Sequence, residues 1–235
     1  MSLPVAILAG GLATRLGPLT ASTPKSLIDV GGQPFAVHQI QLLRRHGFTD
    51  IVFLVGHLGE VISSTLGDGS TWGVQVRYVF DGPRPLGTGG AIRGALPLLG
   101  DAFFVLYGDS YLECDYESIE SAFLASGKRG LMTVYPNEDQ HDRSNVVYHE
   151  GRLVRYDKRQ QTSDMRHIDF GLGAFLQSAF GERGNDPFDL ELVYQELLAA
   201  GDLAGYEVGQ RFFEIGSPDG LQSTRAHLTA KGVTR

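Results

Sequence analysis

Cysteine, net positive charge and long apolar runs are scarce or absent in this sequence. The single cysteine among 235 residues, Cys114, excludes an internal disulfide framework and a cysteine-based zinc site. No run approaches the roughly 18 consecutive apolar residues of a membrane span, so no association with a membrane is expected. The start of the chain has neither the basic lead-in nor the apolar length of a signal peptide. These features predict a cytoplasmic protein.

The formal net charge of −7 makes a broad basic face for nucleic acid unexpected. A protein with this charge needs a local group of cations, backbone amides or a metal to bind phosphates. The dinucleotide fingerprint G-x-G-x-x-G and the P-loop are both absent, and the histidines have no HExxH or comparable metal spacing. The missing fingerprint argues against an oxidoreductase.

Glycine, by contrast, is abundant: the chain has 31 glycines, well above the typical share of about 7%. Many of them fall in short clusters, at Gly10-Gly11, at Gly31-Gly32 and at 87–90. Glycine is needed where the chain turns tightly or where the backbone approaches a ligand closely. The clusters therefore mark candidate ligand-binding loops.

The order of apolar segments predicts the fold class. Buried strands are predicted at Val5–Ala9, Ile51–Val55 and Ala102–Tyr107, with helical periodicity between them. This alternation favours an α/β fold with a Rossmann-like, doubly wound, mostly parallel sheet. After about residue 130 shorter strands are predicted, the longest at His167–Leu176, and they indicate a small β-rich elaboration. With no linker or repeat in the sequence, we expect a single domain over residues 1–235.

The loop after the first strand contains the densest group of chemically informative residues. It reads Leu8-Ala9-Gly10-Gly11-Leu12-Ala13-Thr14-Arg15-Leu16, followed by Pro18, Thr20, Pro24 and Lys25. Ligands of parallel α/β sheets bind outside the carboxyl ends of the strands, and backbone N–H groups of glycine loops bind anions. Arg15 and Lys25 add two cations suited to phosphates. The alternative is a plain turn with two surface cations.

This loop resembles the signature L-A-G-G-x-G-T-R-L-x-P-x-T-x-x-x-P-K of the sugar-1-phosphate nucleotidyltransferases. The resemblance extends to Pro85–Gly90, Tyr107-Gly108-Asp109, Tyr156-Asp157-Lys158 and Phe212–Gly216, and so covers nearly the whole chain. Within this family, the sequence resembles in particular the heptose- and mannose-1-phosphate guanylyltransferases and the N-acetylmuramate-1-phosphate uridylyltransferases. Ala13 replaces the third glycine of the signature, and its Cβ resists positive φ and could crowd a phosphate.

The resemblance implies the nucleotide-diphospho-sugar transferase fold and an enzyme that joins a nucleoside triphosphate to a sugar 1-phosphate and releases pyrophosphate. It implies a nucleotide-binding half at about 1–130 and a sugar-phosphate-binding half at about 131–235. The implied catalytic residues are Arg15, Lys25 and Asp109. The implied nucleotide-binding residues are Leu8, Ala9, Gly10, Gly11, Thr14, Arg15, Asp81, Gly87 and Thr88. The implied sugar-phosphate-binding residues are Asn145, Asp157, Lys158, Asp169 and Gly171.

Magnesium is the implied cofactor, because Mg²⁺ takes a few hard oxygen ligands together with phosphate oxygens. Asp109, at the end of an apolar strand, is the first implied ligand, and Glu214 is the second, at a position where the family has Asp. GTP is the favoured nucleotide, since the Asp81 carboxylate can accept from both N1–H and the 2-amino group of guanine. Asp81 could equally be an ordinary turn residue.

Two alternatives stay open from the sequence. One is a non-catalytic protein that binds a nucleotide or sugar phosphate on the same fold, which Ala13 and Glu214 would favour. The other is a nucleotidyltransferase that acts on a non-sugar phosphate such as phosphocholine. The identity of the sugar, the base, the pathway and the oligomeric state, including a homo-oligomer, stay open as well.

Overall fold

A computed structural model describes residues 2–11, 16, 23–181 and 186–232 of the chain. The β-strands of this part are β1 (Val5–Leu8), β2 (Asp29–Val30), β3 (Gln33–Pro34), β4 (Asp50–Val55), β5 (Gln75–Phe80), β6 (Ala102–Tyr107), β7 (Ser110–Tyr111), β8 (Gly130–Pro136), β9 (Val146–His149), β10 (Arg152–Tyr156), β11 (His167–Leu176), β12 (Leu203–Glu207) and β13 (Phe213–Glu214). The α-helices are α1 (Phe35–Arg45), α2 (Gly59–Leu66), α3 (Gly87–Leu99), α4 (Tyr116–Ser126), α5 (Leu190–Ala199) and α6 (Pro218–Ala230). The predicted α/β class and the mostly parallel central sheet are confirmed.

The chain divides into two compact units. The first unit comprises Met1–Pro85, Leu106–Tyr111 and Phe212–Arg235, and the second comprises Leu86–Val105 and Leu112–Arg211. The chain therefore passes between the units four times, once within β6. These bounds differ from the predicted halves divided near residue 130, and the single-domain prediction itself stays a prediction.

The first unit contains a parallel sheet. Strand β4 pairs in parallel with β1 on one side and with β5 on the other. Strands covered on both faces read as continuous apolar runs, which explains why β1 and β4 are visible in the sequence. Helix α1 buries Phe35, Ile40 and Leu43 completely. Gly47, at a φ of 83°, follows the end of this helix and lets the chain turn away.

The second unit is richer in antiparallel pairs. Strand β8 pairs antiparallel with β11 and parallel with β12, while β9 pairs antiparallel with β10. Its core includes the rings of Phe103, Phe175 and Phe180, whose centroids lie 5.5–6.3 Å apart. Helix α4 begins where the Asp115 carboxylate accepts a hydrogen bond from the Ser118 N–H.

Strand β12 is the longest element that the sequence did not predict. Its residues Leu203-Ala204-Gly205-Tyr206-Glu207 show no alternation of apolar and polar side chains, so the period of two is missing. Gly205 lies close to Tyr148 and Leu153, and a Cβ at this position would come within 3 Å of both. The glycine that weakens the sequence pattern is therefore needed for packing.

No helix in the described part of the chain combines the length and the apolar character that crossing a membrane requires.

Candidate functional site

The carboxyl ends of β1, β4 and β5 bring two of the predicted nucleotide-binding residues together. Asp81 follows β5, and its N–H donates to the Val55 carbonyl at 2.9 Å. A Cβ on Gly10 would lie 3.4 Å from Asp81 Oδ2 and 3.2 Å from the Gly56 nitrogen. The Asp81 carboxylate thus lies beside the backbone of the glycine loop, which follows Leu8 and Ala9 at the end of β1.

Asp109 lies two residues beyond the end of β6 and is paired with Lys25. Lys25 Nζ lies 2.6 Å from Asp109 Oδ2, and the two side chains are 17% and 29% exposed. The Gly108 N–H donates to the Leu8 carbonyl at 3.0 Å, and any Cβ on Gly108 would overlap that carbonyl. Two predicted catalytic residues are therefore in direct contact, next to the end of β1.

The backbone around Glu214 also lies next to Asp109. Strand β13 pairs antiparallel with β7, which puts Glu214 opposite Ser110. The Ile215 N–H donates to the Asp109 carbonyl at 2.9 Å. The Glu214 carboxylate, however, accepts from the Gly216 N–H and from Ser217 Oγ, the latter at 2.6 Å. In this conformation the carboxylate stabilises the beginning of α6, and metal ligation by Glu214 stays a prediction.

The donor atoms present fit a magnesium ion held by one carboxylate. Within the described residues, no group of three or more His, Cys, Asp or Glu side chains could hold a metal. Mg²⁺ at nucleotide sites commonly takes one or two carboxylates and completes its octahedron with phosphate oxygens and water. Asp109 offers such a carboxylate, partly exposed and at the end of a strand. Glu214 joins it only if its carboxylate leaves the first turn of α6.

Gly87 and Thr88, both in the second unit, contact the segment that leads into α5. The N–H groups of Gly89 and Gly90 donate to the Phe188 carbonyl at 2.9 and 3.1 Å. Thr88 Oγ1 accepts from the Leu190 N–H at 2.8 Å and so caps α5. This glycine cluster accordingly serves close packing within the protein, and its predicted contact with a nucleobase stays a prediction.

The close packing at Gly87 predicts a stability effect. Gly87 has a φ of 72°, and a Cβ on it would overlap the Phe188 carbonyl. Gly87→Ala is expected to lower the free energy of unfolding by about 1–2 kcal/mol through the left-handed backbone. Steric overlap of the new Cβ with the Phe188 carbonyl should lower the free energy of unfolding by about 1–3 kcal/mol more. Gly82 is the matched control, with a φ of 79° and no atom within 4 Å of its Cβ position. Equal losses for both variants in urea unfolding would contradict this interpretation.

Four of the five predicted sugar-phosphate-binding residues meet at Asp169 in the second unit, whose carboxylate is buried. The Asp169 side chain is 3% exposed, and its Oδ2 lies 3.3 Å from Lys158 Nζ. The Gly171 N–H donates to Asp169 Oδ1 at 3.1 Å, and the Asp169 N–H donates to Asn145 Oδ1 at 3.0 Å. Tyr156, which the sequence did not single out, also donates its hydroxyl to Asp169 Oδ2. The resulting cluster presents an ammonium held by an anion.

Asp157, the fifth of these residues, has its side chain directed into its own turn. Its Oδ1 accepts from the N–H groups of Gln160 and Arg159 at 2.7 and 2.9 Å. These two donors hold the pKa of Asp157 below its ordinary value, the Gln160 bond first. The Lys158 N–H donates to Glu191 Oε1 at 3.0 Å, a contact that no sequence signal indicates. The turn therefore fixes the backbone that carries the Lys158 ammonium.

Four more residues were singled out in the sequence. Thr14 and Arg15 lie outside the described residues, as does Ala13, which replaces the third glycine of the signature. Cys114 is buried, and burial raises the pKa of its thiol to about 12. Such a thiol stays protonated at neutral pH and is a poor nucleophile.

Comparisons with known proteins point to one family. The family model described as nucleotidyl transferase matches residues 5–149. The chain is 30% identical over 239 residues to the mannose-1-phosphate guanyltransferase of Candida albicans, covering 95% of this chain and 64% of that protein. It is 44% identical over 111 residues to the N-acetylmuramate alpha-1-phosphate uridylyltransferase of Neisseria meningitidis, covering 47% of this chain and 48% of that protein. The chain thus spans less than two thirds of the length of either relative.

A solved structure supports the same fold. HddC from Yersinia pseudotuberculosis, crystallised with GMP-PN, superposes with a TM-score of 0.80 at 24% identity, covering 97% of this chain and 100% of that one.

Proposed function

The chain belongs to the nucleotidyl transferase family, and we propose that it transfers a nucleotidyl group to a sugar 1-phosphate, with GTP as donor, Mg²⁺ as cofactor and pyrophosphate as by-product. One observation carries this proposal: the Lys25–Asp109 pair lies beside the end of β1, where the glycine loop begins. A carboxylate, an ammonium and a glycine loop at one edge of a sheet suit a metal-bound triphosphate.

The first unit supplies the phosphate-binding groups. The backbone at Gly10 and Gly11 follows the strand end, and a Cβ on Gly11 would meet no atom of the described residues within 4 Å. Lys25 exchanges its bond with Asp109 for a phosphate oxygen when the nucleotide binds. Arg15 and Thr14 complete the phosphate contacts by resemblance to the family signature.

The chemistry needs little from the protein beyond position and charge. A phosphate oxygen of the sugar 1-phosphate attacks the α-phosphorus, and the bond from that phosphorus to the bridging oxygen breaks. Pyrophosphate leaves with the electron pair. The attacking phosphate is already an anion, so no general base is required. When bound at Asp109, Mg²⁺ offsets the negative charge of the phosphates. Lys25 donates hydrogen bonds to the same phosphates.

The second unit supplies the sugar-phosphate contacts. The Lys158 ammonium binds the phosphate of the sugar, and Asp169 holds that ammonium in place. The Asn145 amide offers hydrogen-bonding atoms for sugar hydroxyls, and Asp157 offers its second carboxylate oxygen, since Oδ1 accepts from the N–H groups of its own turn. A cation held by a buried anion is well suited to a charged substrate, because its direction is set before the substrate arrives.

The preference for guanine rests on Asp81 and on the guanyltransferase among the relatives. The Asp81 carboxylate adjoins the glycine loop, where it can accept from the two donors on the guanine edge. Asp81→Ala is expected to lower kcat/KM for GTP by about tenfold to a hundredfold, the range for hydrogen bonds to a charged group. It should change kcat/KM for UTP by less than about twofold, since uracil has no such donor pair. Equal losses for both nucleotides would contradict the guanine assignment.

A screen for pyrophosphate release tests the proposal as a whole. Four nucleoside triphosphates are combined with mannose, heptose, glucose and N-acetylmuramate 1-phosphates, and with phosphocholine, at saturating Mg²⁺. The proposal expects release with GTP and one of the sugar phosphates. Release with phosphocholine alone would favour the non-sugar alternative. Binding of a nucleotide without release in any combination would favour a non-catalytic binding protein.

A further inference from the structure

Gln39 is a polar side chain buried in the apolar face of α1. It is 1% exposed, and Phe35, Ile40 and Leu43 on the same helix are completely buried. Its Nε2 donates to the Tyr107 carbonyl at 3.1 Å and to the Ser110 carbonyl at 2.8 Å. Because both neighbouring atoms are acceptors, the orientation of the amide is determined.

These two carbonyls bracket Gly108 and Asp109. Other contacts hold the loop as well: the Gly108 N–H donates to the Leu8 carbonyl, the Ile215 N–H donates to the Asp109 carbonyl, and Ser110 pairs with Glu214. Each of these contacts involves one residue of the loop. Gln39 joins the end of β6 to the beginning of β7, so it sets the width of the loop from which the Asp109 side chain projects.

The burial of Gln39 is poorly explained by stability alone. Its Oε1 is buried, and no residue in the part of the chain that the structure describes donates a hydrogen bond to it. A buried polar atom without a donor carries a desolvation cost, which an apolar side chain of equal length would avoid. A role other than packing accounts for an amide at this position.

We infer that Gln39 is a positioning residue for Asp109. By holding both ends of the loop, it directs the Asp109 carboxylate toward Lys25 and toward the place where Mg²⁺ would be held. This inference rests on the proposed function for its catalytic consequence, while the positioning itself can be measured without turnover.

Gln39→Met tests the inference, since it keeps the chain length and removes both donors. Gln41→Met on the same helix is the matched control, because Gln41 Oε1 accepts from Gln33 at 3.2 Å. We expect amide hydrogen exchange at Gly108 and Ile215 to be about tenfold faster in Gln39→Met than in Gln41→Met. We also expect kcat to fall about tenfold to a hundredfold, with KM for both substrates nearly unchanged, as misplacement of a catalytic group predicts.

The outcomes separate the two claims. Unchanged exchange at Gly108 and Ile215 would overturn the positioning role, whatever the activity. A lower melting temperature with kcat within about twofold of the wild type would overturn the catalytic consequence and leave a structural residue. If the wild-type protein shows no turnover, the proposed function is contradicted. Amide hydrogen exchange at Gly108 and Ile215 then still tests whether Gln39 positions the loop. If Gln39→Met does not fold, Gln39→Asn is used, which is too short to reach both carbonyls. Failure of both variants to fold would overturn the inference.

Discussion

Asp109→Asn is expected to lower kcat by about 10³-fold, the loss seen when one preorganised electrostatic group is removed from an active site. Asparagine has nearly the same shape, so the loop 107–110 and its attachments remain. The carboxylate charge is lost, and with it the partner of Lys25 and the anionic ligand for Mg²⁺. The rate should therefore fall because the chemical step is slower, and not because the protein is less stably folded. The Mg²⁺ concentration for half-maximal rate should rise.

Asp101→Asn is the matched control, because Asp101 is exposed and directly precedes the strand that Asp109 follows. Its kinetics should match those of the wild type, as should its melting temperature. Steady-state rates at several Mg²⁺ concentrations measure both effects. An Asp109→Asn variant that kept more than about a tenth of the wild-type rate, with the same Mg²⁺ dependence, would contradict the role of Asp109.

Lys158→Met should raise KM for the sugar 1-phosphate by about tenfold to a hundredfold, the range for a hydrogen bond to a charged group. KM for the nucleotide should stay within about twofold, since Lys158 is assigned to the other substrate. The variant also leaves Asp169 buried without its cation, so its melting temperature should fall.

The double variant Lys158→Met/Asp169→Asn separates these two effects. Removing the buried charge should recover most of the lost stability, because the Gly171 N–H can still donate to the amide oxygen and the amide NH2 can donate to the Tyr156 hydroxyl. KM for the sugar phosphate should stay high, since the ammonium is still missing. Arg159→Met, at the neighbouring exposed position, should leave both KM values unchanged. A normal KM in the double variant would show that Lys158 does not bind the phosphate.

Much of the fold was visible in the sequence because its strands are buried on both faces. Strand β6 and strand β11 have the bounds that their apolar runs predict. Strand β12 was missed, because the contact that requires Gly205 joins segments more than 50 residues apart in sequence. A single-sequence pattern records periodicity along the chain and not such distant contacts.

The candidate site, too, could be predicted from the sequence only in part. The motifs located Lys25, Asp109, Lys158 and Asp169, which the structure brings together in two pairs, one in each unit. The roles of Gln39 and Glu191 depend on hydrogen bonds from one element to another, and no local pattern encodes them. At Glu214 the resemblance implied a metal ligand, whereas the carboxylate bonds to Gly216 and Ser217 just before α6, so metal ligation there stays a prediction.

The mass of the product formed from GTP, Mg²⁺ and a panel of sugar 1-phosphates tests the central claim most directly. The account predicts a nucleotide-sugar whose mass equals GTP plus the sugar phosphate minus pyrophosphate. Wild-type protein should form it, and Asp109→Asn should form about 10³-fold less in the same time. Bound nucleotide with no such product, across every triphosphate and sugar phosphate tried, would contradict the account.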